Sequence, residues 1–199
     1  MFRPTKALLA ASLAIAGMAA PAALAPASAA VSQANPSAFV ESLAGDTLVA
    51  LRTGTQAQRR ARFSQMLGEH FAVRAIGDRL ITRWRSRITP TQYQSYQRAL
   101  PGFLLGTYAD RLSSYANARV EVVNATERSG DFFVATRVTN PGDSPVRVIW
   151  QLSREGARYR VVNMNVAGIN LTLNQAQDFD SYIQRNGFDR LVAFMQSRG

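Results

Sequence analysis

The residues able to do acid–base or nucleophilic chemistry are few, and their spacing assembles no catalytic set. The chain has one histidine, His70, and no cysteine. A lone histidine builds no histidine-rich metal site, and without cysteine there is no thiolate ligand, thiol nucleophile or disulfide. His70 stands near the end of an apolar-periodic segment, which reads as a helix-end or surface position. No G-x-S-x-G elbow, P-loop or G-x-G-x-x-G is present. Asp131 and Asp143 fall in turn contexts, where Asp serves the backbone. Asp178 and Asp180 are two apart on a helical segment and do not face each other. One Asp and one Tyr inside a sheet-and-helix cone would still suit isomerase-like proton transfer, so an enzyme stays open as an alternative. The residues nominate no catalytic group, no metal and no cofactor.

The chain is instead rich in large apolar and amphipathic side chains: Trp84, Trp150, six tyrosines and ten phenylalanines. Such residues form an ordinary core, or line a cavity if the elements do not close on each other. Patterning alone does not separate the two.

The elements that must position them begin after an export signal. Met1–Lys6 carries Arg3 and Lys6 and no acid, and Ala7–Ala20 is an apolar run. Pro21 and Pro26 interrupt it, and Ala27-Ser28-Ala29-Ala30 follows. That order is a secretory signal peptide, with cleavage after Ala29 or Ala30. The run, about 14 residues, is short of the ~20 a bilayer span needs. Residues 31–199 are then a single domain of ordinary size, exported to the periplasm of a Gram-negative bacterium. Without Arg3 and Lys6 the 23 basic residues become 21, all arginine, against 13 acids, a net charge of +8. In the cytosol that balance would suggest nucleic acid; outside the inner membrane the anionic partners are lipid headgroups, whose phosphates match the arginine fork.

Asn35-Pro36 is an N-cap followed by proline at the first helical position, opening a helix that ends near Gly54. Thr55 with Gln58 makes a capping box for a second. Val73, Ile76, Leu80 and Trp84 keep helical spacing. Thr89-Pro90-Thr91-Gln92 starts a long segment whose stripe runs through Tyr93, Tyr96, Leu100, Phe103, Leu104 and Tyr108. Pro101-Gly102 inside it predicts a kink or break near Ala99. From Arg119 the period changes to two, and four runs separated by Ser129-Gly130-Asp131, Asn140-Pro141-Gly142-Asp143 and Glu155-Gly156 form an antiparallel meander ending at Gly168. Helical spacing returns through Phe179 and Ile183, stops at Asn186-Gly187, and resumes at Leu191. The fold class is α+β: a four-stranded antiparallel curved sheet against N-terminal and C-terminal helices, cone-like, with room for an internal apolar cavity.

From Phe71 onward the motifs Phe71-Ala72-Val73, Leu80-Ile81-Thr82-Arg83-Trp84-Arg85, Thr89-Pro90-Thr91-Gln92 and Tyr96…Leu100…Phe103-Leu104…Tyr108 follow one another in order. Tyr159-Arg160-Val161-Val162-Asn163, Val166-Ala167-Gly168-Ile169-Asn170 and Arg185-Asn186-Gly187-Phe188-Asp189-Arg190-Leu191 complete the series. In sequence and spacing the chain resembles the MlaC, or toluene-tolerance, family, with its hopanoid-associated HpnM branch as one candidate. It departs from the family's usual Leu-Gly at Ile81-Thr82, Trp at Tyr159, Asp at Asn163 and Ser at Asn170. Pro101-Gly102 also interrupts a helix that is normally continuous.

The resemblance implies a non-enzymatic periplasmic carrier that holds phospholipid tails between sheet and helices. It implies transfer between an outer-membrane lipoprotein–porin complex and an inner-membrane ABC transporter with an MCE subunit. A hopanoid or other lipid is the alternative cargo. Implied tail contacts are Phe71, Val73, Ile76, Leu80, Trp84, Phe103, Leu104 and Tyr108 from the helices. The sheet and the segment after it add Val134, Val148, Trp150, Val161, Met164, Ile169 and Leu171. Each of these also suits plain core packing. Arg83, Arg85 and Arg87 are candidates to meet a headgroup phosphate or an acidic partner surface.

Overall fold

Side-chain caps start the first helices of the structure, a computed structural model that describes residues 30–199; the signal peptide expected from the sequence lies outside them. Asn35 Oδ1 accepts the Ala38 amide at 2.8 Å and opens α1, Pro36–Arg52. Thr55 and Gln58 form the reciprocal capping box of α2, Gln56–His70. Helix α3 covers Val73–Leu80. Thr89 and Gln92 then exchange a second reciprocal pair at 3.0 and 3.2 Å at the start of α4, Pro90–Leu112. All three caps satisfy amides that a helix start leaves bare.

The expected break at Ala99 does not occur: α4 runs through Pro101 without interruption. Proline in a helix interior costs about 3 kcal/mol. Its neighbours Leu100 and Phe103 are 0% and 4% exposed, and burying each gives back about 1.5–3 kcal/mol. Packing outweighs the lost ladder bond.

The sheet follows: β1 Arg119–Arg128, β2 Asp131–Thr139, β3 Val146–Glu155 and β4 Arg158–Val166, all antiparallel neighbours in chain order. A fifth strand, β5 Ile169–Asn170, corrects the count of four. It is joined to β4 by Ala167 and Gly168, with φ of 51° and 86°, the paired left-handed residues of a tight hairpin turn. Two residues are too few to show a period, and alanine is not a turn signal there.

Two-residue alternation gives the sheet an inner face with Val134, Thr136, Val148, Trp150, Leu152, Val161 and Met164, most of it packed with α1 and α2. The outer edge of β4 is met by Phe71, which bridges Val161, and by the Ala72 amide, which donates to the Val161 carbonyl at 2.9 Å. Helices α5, Leu171–Asn186, and α6, Phe188–Arg198, meet at Gly187, whose φ of 85° suits glycine. Among the described residues no helix is long and apolar enough to cross a membrane.

Candidate functional site

Two hydrophobic clusters divide the interior. One is helical, built by α3, α4, α5 and α6 around Tyr96, Leu100, Phe103, Phe179, Leu191 and Met195. The other lies between α1, α2 and the sheet, around Phe39, Leu43, Met66, Val134, Leu152 and Val161. Helix α4 bridges them, with Phe103 and Leu104 in the first, Leu105 and Ala109 in the second.

The residues named from the sequence separate along that division. Val73, Ile76, Leu80, Trp84, Phe103 and Leu104 join the helical cluster. Phe71, Val134, Trp150, Val161 and Met164 join the sheet cluster. Val148 is buried on β3, while Tyr108 and Leu171 are half-buried between the clusters' elements. Ile169 stands in β5 at 57% exposure.

Between the clusters, residues 104–109 of α4 read Leu-Leu-Gly-Thr-Tyr-Ala, and all six are half-buried. A helix with no charged face normally sits inside a core. Here one and a half turns carry no charge on any side, yet none is fully covered. Trp150 and Met164, register partners on β3 and β4, belong to the sheet cluster with Leu105 and Ala109 and are likewise half-buried. Polar groups pin the seam. The Trp150 indole N–H donates to Thr136 Oγ1 at 3.1 Å, and Thr136 has no exposed surface. The Tyr108 hydroxyl lies 3.3 Å from Gln175 Oε1, on a glutamine only 8% exposed. Thr136 and Gln175 are not legible as site residues in the sequence, because nothing local marks a buried polar side chain.

On the adjacent face of α5 is an open cleft of about 290 Å³ with a surface more apolar than polar, lined by Leu173 and Ala176 beside Arg79, Gln151, Asn163, Asn170 and Thr172. Arg79 donates to the Val162 carbonyl at 3.3 Å from an exposed position. Asn163 Oδ1 accepts the Met164 and Thr172 amides at 2.8 and 3.3 Å, and its amide group lies 3.4 Å from Gln151 Oε1. Gln151 in turn donates to Asp131 at 2.6 Å. Arg79 is the one cation in this lining, and the Gln151 and Asn163 amides are engaged by Asp131 and Gln151. The arginines named from the sequence lie elsewhere and have aromatic or acidic partners. Arg83 pairs with Asp180, which also accepts the Trp84 indole N–H at 2.9 Å. Arg85 and Arg87 lie 3.9 and 5.4 Å over the rings of Tyr93 and Trp84.

Acid–base groups are dispersed. His70 ends α2 with its ring edge-on to Phe39, and burial holds its pKa below the ordinary histidine value. Tyr96 donates to the Gly77 carbonyl at 3.0 Å, and burial raises its pKa. Among the described residues no three His, Cys, Asp or Glu converge as a metal site.

A family model described as MlaC protein matches residues 41–197, which spans every strand and, but for the last residue of α6, all helices from α2 onward. The chain belongs to the MlaC family. The fold is also that of a phospholipid-binding protein from Ralstonia solanacearum, solved in complex with a phospholipid. The two share 24% identity over 83% of this chain and 97% of that one, with a TM-score of 0.69. None of the curated proteins matches.

As an MlaC chain it absorbs its departures locally. Asn170, in place of the usual serine, caps α5 by accepting the Leu173 amide at 2.9 Å, a role asparagine fills as well as serine. Tyr159 is buried, with its ring edge-on to Phe132. Asn163 keeps the acceptor an aspartate would offer but removes its charge from the cleft beside Arg79.

Proposed function

We propose that this protein is a periplasmic lipid carrier, exported by the signal peptide, cleaved after Ala29 or Ala30, and working as one domain over residues 31–199. The observation that carries the reading is the stretch Leu104–Ala109: uncharged helix, half-covered throughout, between two separately packed clusters. Family membership and the phospholipid bound by the Ralstonia solanacearum protein support it.

The physical need is plain. Each methylene exposed to water costs about 0.8 kcal/mol, so one acyl chain of ordinary length needs on the order of 10 kcal/mol of shelter. Tails inserted between α4, α5 and the inner face of β3 and β4 would cover Leu105, Tyr108, Trp150 and Met164 together. The headgroup, costly to bury, would stay at the mouth of the seam, in water. In this reading Arg83, Arg85 and Arg87 brace the helical cluster. Carriage of this kind needs no catalytic residue. The carrier passes its cargo between an outer-membrane lipoprotein–porin complex and an inner-membrane MCE/ABC complex.

The test is uptake. Delipidated protein incubated with phospholipid vesicles and separated from them should carry lipid away. Vesicles that lose none contradict the proposal.

A further inference from the structure

The outer face of the sheet, turned away from α1 and α2, has a feature that the carrier reading does not use. Alternation places Asn124, Thr126 and Arg128 of β1, Phe133 and Ala135 of β2, and Arg147 and Ile149 of β3 on that face. Together they line a shallow depression of about 170 Å³. Its floor is apolar: Ala135 is buried, and Phe133 and Ile149 are half-buried. Its rim is cationic, with Arg128 and Arg147 exposed.

The two rim arginines differ from the others on this face. Arg119 and Arg137 share Glu121 at 3.9 and 3.6 Å, and Arg160 meets Glu155 at 2.9 Å. Among the described residues, Arg128 and Arg147 reach no carboxylate. They leave two unneutralised guanidinium groups over a small apolar hollow. An aromatic residue and arginines around an apolar centre are the composition of protein interface cores.

We infer that this face docks a second protein, one presenting carboxylates around a single protruding apolar side chain. Charge complementarity and shape select that occupant. A bilayer is engaged by apolar side chains that project into it, whereas Phe133 and Ile149 lie recessed. A second copy meeting face to face would set Arg128 and Arg147 against the same positive rim, because a two-fold contact pairs a patch with itself. Carboxylates on a different protein neutralise both rim charges and steer the encounter. The depression lies on the sheet face opposite Trp150 and Met164, so docking there leaves the proposed tail site unobstructed.

The experiment uses the full chain expressed in its host with the photo-crosslinking residue p-benzoylphenylalanine at Thr126, and at Gln177, an exposed position of α5, as a control. Cross-linked peptides are sequenced. The expected product, at Thr126 and not at Gln177, joins an acidic segment of another protein. Arg128→Glu with Arg147→Glu should lower its yield about tenfold, and reversing carboxylates to arginine in the cross-linked segment should restore it. Circular dichroism checks that the double variant, which changes only exposed side chains, stays folded. Co-sedimentation with vesicles of phosphatidylethanolamine and phosphatidylglycerol is run in parallel. A cross-link to lipid or to a second copy overturns the inference, as does vesicle binding lost with the same double substitution. A protein cross-link indifferent to charge reversal, or no product above the Gln177 control, overturns it equally.

Discussion

Gly106 of α4 lies directly beneath the Arg198 carbonyl oxygen at the end of α6, so close that a Cβ at position 106 would overlap it. One turn earlier, a Cβ on Gly102 would stand 3.1 Å from Gly199 Cα. Two glycines four apart thus form a notch that seats the end of α6 on the middle of α4, immediately after Pro101. Backbone sits on backbone here, so no side-chain adjustment relieves an added methyl.

Gly106→Ala should therefore destabilise the protein by about 1–3 kcal/mol, the usual cost of overpacking, despite alanine's better helix propensity. Thermal unfolding of the variant checks it. On α1, a methyl added at Gly45 would have nothing within 4 Å of it, and Gly45→Ala should be neutral or slightly stabilising. Equal melting temperatures for the two variants would contradict the notch.

Substitutions in the seam should separate it from the hairpin. Leu105→Glu places a charge between the clusters and should lower lipid uptake at least about tenfold, the loss expected from more than 1.4 kcal/mol of unfavourable burial. Ile169→Glu, at an exposed position in β5, should leave uptake near the unsubstituted level. Vesicle uptake assays on folded variants decide the matter, and a reversed order would move the site to the hairpin.

The β4–β5 turn carries removable strain. Ala167 occupies the left-handed region at φ 51° beside Gly168 at 86°, a conformation that costs an ordinary L-residue about 1–2 kcal/mol. Asn-Gly is the favoured pair for such a turn. Ala167→Asn should stabilise the fold by about 0.5–1 kcal/mol, part of that strain, read as a raised denaturation midpoint with unchanged slope. A lowered midpoint would show that Ala167 makes a contact worth more than the strain.

His70 should make stability depend on mildly acidic pH. Burial holds its folded-state pKa below the unfolded value. Above the unfolded value the ring is neutral in both states and contributes no pH dependence. As pH falls through the unfolded value and on towards the depressed folded one, the unfolded chain binds the proton first, so stability is lost. His70→Gln should flatten that part of the stability–pH curve. Parallel curves for both proteins from about pH 7 down to about pH 5, the range around and below histidine's ordinary value, would contradict the assignment.

Much of this fold is legible in the sequence because its signals are local. Asn35, Thr55 with Gln58, and Thr89 with Gln92 announce helix starts through bonds spanning three residues, and the meander shows in its turns and period. Continuity through Pro101 is not legible, since it depends on contacts with other elements: Phe103 meets Phe179 of α5 at 5.3 Å, and Leu100 packs at Gly77 of α3. The fifth strand is too short to carry a pattern. The candidate site is half legible. Apolar residues such as Trp150, Met164 and Tyr108 can be named, but their division between two clusters is a tertiary fact. Arg79, Thr136 and Gln175 carry no mark in the sequence because their roles come from what packs around them.

Native mass spectrometry of the protein recovered from its host asks whether the seam beside Leu104–Ala109 shelters a lipid. The expected result is a bound species of lipid mass, released on unfolding and depleted in Leu105→Glu. Protein recovered at its bare polypeptide mass, with none gained from vesicles, would contradict it.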